Sequence, residues 1–281
     1  MIKILKNFFF IYRQKDLNTL IFKILIKFIK FFPRKKIIIN TKKKVVNGYY
    51  KNIELSCKQV WNSAIPSQLL GFYEEQVQKK IINLKKKFDL DFLVNFGAAE
   101  GYHAVGLIKN KHFKKCLAFE IDPKNQNHIL NNLKLNKIEN KVKIFGEANF
   151  KEVKKNLNIP ELKKTLFLVD IEGDEFNLFN KKNLKFFKNN ILIIENHEML
   201  ISKENKRNDF FKLMKQNFTL EILENSSRNP FLVKEIKYLD DDEKWLMTSE
   251  SRPYKMNWLV FIPKKLIYNQ NLRQVQMFRK K

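Results

Sequence analysis

The chain has 281 residues, 44% of them hydrophobic, and a net charge of +26. That is enough apolar material for a buried core, which excludes wholesale disorder, and enough length for one large domain or one domain with substantial extensions. The charge alone suggests a nucleic-acid partner, yet it sits in the flanks: residues 1–45 carry thirteen Lys/Arg against the single acid Asp16 (+12), whereas residues 91–200 carry eighteen basic and fourteen acidic residues (+4). Lysine outnumbers arginine 48 to 7, and specific duplex readout draws on arginine forks. The bulk basicity therefore reads first as a lysine-rich compositional bias. Cys57 and Cys116, the only cysteines, form neither a disulfide framework nor a zinc spacing, so a reducing, cytosolic setting is expected.

Residues 1–36 alternate apolar runs with lysines, as in Phe8-Phe-Phe-Ile-Tyr12 and Leu20–Phe32. The interruptions are too frequent for a spanning helix, which needs about 20 apolar residues, and no small-residue cleavage site follows. Lys23, Lys27 and Lys30 recur at steps of four and three, on one helix face. Two readings stand side by side: a helix in the headgroup region of an anionic membrane, or a helix packing its apolar face on the domain or on a second subunit. Pro33 and Arg34-Lys-Lys36 are expected to end this segment, and Ile37–Asn40 to begin a short strand. Residues 37–66 read as a linker or accessory segment, 67–265 as the principal domain and 266–281 as a basic tail.

Within the principal domain, residues 67–87 read as one helix, with Leu70, Tyr73, Val77, Ile81 and Leu84 at three- and four-residue spacing. Strands and helices then alternate. Strands are expected at 91–96, 115–120, 141–145, 165–170 and 190–195. Helices are expected at 102–109, 123–135 and 150–157, from about 175, and from 203 to about 216. A closing strand pair is expected at 218–223 and 258–262. Continuous apolar strands separated by helices indicate an α/β fold with a doubly wound, mostly parallel sheet covered on both faces.

Ligands in such sheets bind beyond the carboxyl ends of the strands. There the chain places Gly97–Gly101, then Glu120, then Gly146-Glu147-Ala148, then Asp170-Ile-Glu-Gly-Asp-Glu175, then Glu195-Asn-His197. Three of only seven glycines fall at 97, 101 and 106, and a strand–glycine turn–helix succession holds nucleotides at a helix N-terminus. A carboxylate twenty-three residues after Gly97 is placed to accept ribose hydroxyls. The dinucleotide fingerprint is absent, since Ala99 stands where its second glycine belongs. Glu100 inside the loop would repel a pyrophosphate and suit a cofactor bearing a sulfonium and an amino group. Asp122 before Pro123 reads as a helix cap, Asp174 and Glu175 as acids at a helix start, and His103 and His128 as ordinary helix residues.

Asn95-Phe-Gly-Ala-Ala-Glu-Gly-Tyr102, Phe119-Glu-Ile-Asp-Pro123, Val169-Asp-Ile-Glu-Gly-Asp-Glu175 and Ile194-Glu-Asn-His197 together resemble a class I S-adenosylmethionine-dependent methyltransferase, and the Asp170–Glu175 stretch is similar to that of FkbM-type methyltransferases. The resemblance covers roughly residues 68–200 and the strand pair to 263. It implies a Rossmann-like sheet of seven strands, preceded here by an N-terminal helical extension, with S-adenosyl-L-methionine as cofactor. Gly97, Ala98, Ala99, Glu100 and Gly101 would wrap its methionine portion, with Tyr102 opening the helix. Glu120 would hold the ribose, Ile121 would lie against the adenine, and Glu147 and Ala148 at its edge. Asp170 would lie near the amino group or the reacting methyl, and Asn95 stands where many members carry an acid.

A methyl acceptor that is a hydroxyl needs a base. His197 is the candidate by identity, with Asp170, Glu172 and Glu195 to orient it or to bind sugar hydroxyls. A divalent cation held by Asp170, Glu195 and His197 ranks below this metal-free arrangement. The expected acceptor is a small molecule or glycan, in a cytoplasmic protein that touches the inner face of the membrane if residues 1–36 bind lipid. The competing readings are an RNA methyltransferase and a catalytically inactive, methyltransferase-like membrane- or partner-binding protein.

Overall fold

The computed structural model describes residues 17–57, 64–200, 204–250, 252 and 256–270. They fall into two compact units, one drawn from 1–73 with 227–255, the other from 74–226 with 256–281. The Phe8–Tyr12 run, the side chains of Lys23 and Lys27, and the tail from 271 lie outside the described residues.

The first unit opens with helices α1 (Leu17–Ile29) and α2 (Phe31–Asn40). Pro33 does not end the helical segment. It sits in the first turn of α2, where a missing N–H has no intrahelical partner to lose, and the helix continues through Ile37–Asn40 where a strand was expected. Ile37 explains the difference, because the helix buries it completely beside Pro33. A short helix α3 (Ile65–Leu69) follows. The single helix expected over 67–87 is broken here: Gly71 takes φ +79, and a Cβ at that position would lie 2.0 Å from the Asn47 carbonyl oxygen.

The second unit begins with α4 (Glu75–Phe88), which Glu74 enters in a left-handed conformation. Five parallel strands then alternate with helices in chain order. They are β1 (Phe92–Phe96), α5 (Tyr102–Lys109), β2 (Lys115–Phe119), α6 (Pro123–Asn136), β3 (Val142–Phe145), α7 (Phe150–Asn156), α8 (Ile159–Lys163), β4 (Thr165–Val169), α9 (Glu175–Leu178), α10 (Lys181–Phe187) and β5 (Ile191–Glu195). Helix α11 (Glu204–Asn217) leads into β6 (Phe218–Glu224), and β7 (Asn257–Pro263) runs antiparallel between β5 and β6. Residues 227–255, between β6 and β7, carry α12 (Asp241–Thr248) and belong to the first unit.

The sheet order is β3-β2-β1-β4-β5-β7-β6, the doubly wound, mostly parallel seven-stranded arrangement expected from the sequence. One sheet face packs a core dominated by phenylalanine. Phe167 on β4 and Phe187 on α10 are fully buried with ring centroids 5.1 Å apart, edge to face, and Phe179 meets Phe187 at 4.8 Å. Such rings bury large apolar areas in a preferred geometry. The order reverses between β1 and β4, and the strand tips at such a reversal are where doubly wound sheets bind ligands.

Phe187→Ala should lower unfolding stability by about 3–5 kcal/mol, the usual cost of removing a buried ring. Urea unfolding checks this, and a loss below about 1 kcal/mol would contradict the packing described.

Candidate active site

Beyond β1 the chain turns at Gly97, whose φ is +76 and whose added Cβ would lie 1.6 Å from the Asp170 carbonyl oxygen. No other residue fits there without moving β4. Asp170 N donates to Phe96 O at 2.9 Å, while Gly97 N and Ala98 N both donate to Phe119 O at 2.9 Å, so the loop is tied to the tips of both neighbouring strands. Gly101 N closes it by donating to Ala98 O at 2.7 Å immediately before α5. Glu100 is half-buried, and its carbonyl accepts from Asn132 Nδ2. Tyr102 is buried, its hydroxyl 3.5 Å from Gln78 Nε2.

Glu120, buried at the tip of β2, accepts Ala99 N on Oε2 at 2.8 Å and Asp122 N on Oε1 at 2.9 Å. A carboxylate offers about four lone-pair sites, so these two bonds aim the group and leave capacity for hydroxyl donors. Ile121 next to it is 74% exposed, a large apolar side chain standing free at a strand tip. Asp122 caps α6 by accepting Lys124 N, as expected. Glu147 is exposed, and Ala148 packs against the fringe of the apolar core. Asn95 is buried in β1, on the face opposite Phe96 by strand alternation, and so stands apart from the core that Phe96 enters.

The tips of β4 and β5 hold an ionic cluster around His197. Its Nδ1 lies 3.0 Å from Glu175 Oε1, and its Nε2 lies 3.3 Å from Glu195 Oε2 and 3.8 Å from Asp170 Oδ1. Glu175 is fully buried, and its two oxygens also accept Ile171 N and Gly173 N at 2.9 Å, which fixes it under the Asp170–Asp174 loop. Burial opposes charge on His197, but the hydrogen bonds and negative charges of Glu175 and Glu195 outweigh it, and the pKa is pushed up to about 11. The imidazole expected to titrate near neutrality is thus an imidazolium with both nitrogens donating.

Asp170 has the reverse character. Its side chain is 30% exposed, yet Oδ1 is buried with no hydrogen-bond partner. Its pKa is raised well above the ordinary carboxylate range, first by desolvation and then by the charge of Glu195 and a hydrogen bond between the two carboxyls, against the opposing pull of His197. Glu74 adds a further negative charge to Asp170, and pairs with His103 at 2.6 Å. Glu172 takes φ +57 in the loop; among the described contacts it is Glu175, not Glu172, that meets His197.

Sequence position marks Glu175 only as an acid at a helix start, and nothing in the sequence singles out Glu74. A weak signal for Glu175 existed, since it lies five residues after Asp170 in a run of four acids. Burial distinguishes it, and burial follows from the loop folding back. Donor atoms of Asp170, Glu175 and His197 lie within 4.8 Å of one another, close enough to surround a cation. Such a cation would have to displace the proton that makes His197 the positive partner of these carboxylates.

No family model and no curated protein matches the chain. Similar solved structures include the O-methyltransferase TomG from Streptomyces achromogenes, in complex with SAM (10% identity, 67% of this chain and 80% of that chain covered, TM-score 0.46). An O-methyltransferase from Bacillus cereus in complex with SAH is similar over 66% of this chain and 79% of that chain, with 10% identity and a TM-score of 0.45. A precorrin-6y C5,15-methyltransferase from Geobacter metallireducens is similar over 66% and 87% of the two chains, with 12% identity and a TM-score of 0.41. The strand order and register above carry the fold assignment without these likenesses.

The His197 ring should stay doubly protonated from pH 5 to about pH 9, read from its ring ¹⁵N shifts; a midpoint near 6.5 would contradict the cluster. Because the folded value lies above the unfolded 6.5, the stabilisation is complete below that pH and is lost as pH rises toward 11. His197→Gln should therefore cost more unfolding free energy at pH 6 than at pH 9.5.

Proposed function

We propose that the chain is an S-adenosylmethionine-dependent methyltransferase acting on a hydroxyl of a sugar or other small molecule. One observation carries the reading: the Glu120 carboxylate at the β2 tip is hydrogen-bonded into the Gly97–Gly101 loop through Ala99 N, at the reversal of a doubly wound sheet. That joins a sugar-binding carboxylate to a close-approach backbone loop. The resemblance to class I methyltransferases, and to FkbM-type enzymes in the Asp170–Glu175 stretch, agrees with it.

The residues present fit the cofactor. Glu120 would hold the ribose hydroxyls, and the exposed Ile121 would give the adenine an apolar surface. Asp170, with an unpartnered buried oxygen beside further carboxylates, would face the positively charged sulfonium and amino end. When bound, the cofactor supplies an electrophilic methyl group for direct displacement.

The chain's own part is alignment and proton transfer. His197, held as an imidazolium, is not the base. Asp170 is: its affinity for protons is raised, and it is partly open to an acceptor. Glu195 and the Glu175–His197 pair keep its carboxyl in place, and it takes the hydroxyl proton as the acceptor oxygen attacks.

Calorimetry with S-adenosylmethionine should show binding, and Glu120→Ala should weaken it about 10- to 100-fold, the worth of charged hydrogen bonds. A positive charge placed beside Asp170 lowers its pKa, so cofactor binding should release protons over the pH range in which Asp170 titrates, seen as a dependence on buffer ionisation enthalpy. Asp170→Asn should cut methyl transfer, assayed with labelled methyl against fractionated extract, about 10²- to 10⁴-fold. An absence of binding heat would sink the reading.

A further inference from the structure

Helices α1 and α2 leave an unusual amount of apolar surface in water. Phe22, Leu25, Phe28, Ile29 and Phe32 are all more than half exposed, Phe28 at 72% and Phe32 at 71%. Of the 20 exposed large hydrophobics among the described residues, nine lie in α1 and α2, and four more (Phe231, Leu232, Tyr238, Trp245) lie in the 227–255 part of the same unit. Isolated exposed apolar residues are ordinary, but a concentration of this kind marks an interaction surface.

We propose that this face of the first unit docks on an anionic lipid bilayer, with α1 lying in the plane of the membrane and its phenylalanines in the headgroup–acyl boundary. Charge identifies the occupant. Between Leu17 and Ile53 the sequence has ten Lys/Arg and no Asp or Glu, and Lys35, Lys36, Lys42, Lys43 and Lys44 are exposed. Apolar insertion flanked by lysines is the combination that binds anionic membranes, with each lysine adding to the attraction.

Over its described residues α1 is too short to cross. Thirteen residues rise about 20 Å, against a hydrocarbon core of about 30 Å. Among the described residues no helix is long and apolar enough to span. The second patch has interfacial chemistry as well: Phe231 and Trp245 meet edge to face at 6.1 Å, with Lys244 Nζ 5.2 Å from the Phe231 ring centre. Tryptophan, tyrosine and lysine favour the membrane–water boundary. Of the nine exposed apolar residues on α1 and α2, Ile21, Ile24, Leu25, Ile29 and Ile39 are aliphatic; only the phenylalanines could stack on bases, whereas all nine suit an acyl boundary, which favours lipid over RNA.

Vesicle flotation of the full chain tests the proposal. The protein should float with vesicles of phosphatidylcholine containing roughly a third phosphatidylglycerol, and much less with phosphatidylcholine alone. Phe28→Glu with Phe32→Glu should weaken the anionic interaction at least about tenfold, with circular dichroism and S-adenosylmethionine binding unchanged. Lys35→Glu with Lys36→Glu should weaken it at least about fivefold. Failure to float, or flotation unaffected by either pair, would overturn the assignment. So would light scattering in which the phenylalanine pair converts a dimer to a monomer while neither form floats, since a second copy would then cover the face. Salt-sensitive capture of a generic RNA oligonucleotide without flotation would overturn it in favour of nucleic acid.

Discussion

Where β1 and β4 run side by side, the turn after β1 passes so close to the end of β4 that even a methyl group at Gly97 would overlap the Asp170 carbonyl. The glycine loop and the first residue of the acidic loop are thus set against each other by backbone contact, reinforced by Asp170 N donating to Phe96 O. Flexible side chains play no part in that spacing. The position of Glu120 follows in turn, because its carboxylate is held by Ala99 N inside the same loop. Three strand tips are in this way registered to one another before any ligand is present, as preorganised sites require.

Electrostatics then separates the roles of the acids. Glu175 is buried and saturated by two backbone N–H groups and His197, so it behaves as a fixed negative anchor. His197 answers that charge and is held protonated. Asp170 lies at the margin, part exposed, desolvated and repelled by Glu195, so its affinity for a proton is raised while its carboxyl stays open to a ligand. Groups in similar chemistry but different surroundings acquire different protonation, and acid–base assignments follow from that difference.

Much of the second unit was legible in the sequence. Helix 102–109 is found as expected, and the strands lie within a residue or two of their expected limits, because buried parallel strands read as short apolar runs bounded by glycine and acids. The N-terminal region was less legible. Ile37–Asn40 is a β-branched run that favours strand by local preference, yet burying Ile37 against its own unit keeps it helical. The break at Gly71 was hidden because apolar residues on both sides keep helical spacing. Within the site, residue types pointed to Asp170, Glu195 and His197, but the state of His197 depends on Glu175, whose burial is a tertiary property. Glu74 beside His103 carried no signal in the sequence beyond being one of two adjacent acids.

The position of a bound adenosyl group is the most direct test of the Glu120 and Gly97–Gly101 assignments. A crystal structure of the full chain with S-adenosylhomocysteine should place the ribose hydroxyls within hydrogen-bonding distance of Glu120, the adenine beside Ile121, and the amino-acid end along Gly97–Gly101 toward Asp170. Adenosylhomocysteine bound elsewhere, or a crevice between β1 and β4 closed by protein side chains with Glu120 turned away from it, would contradict the account.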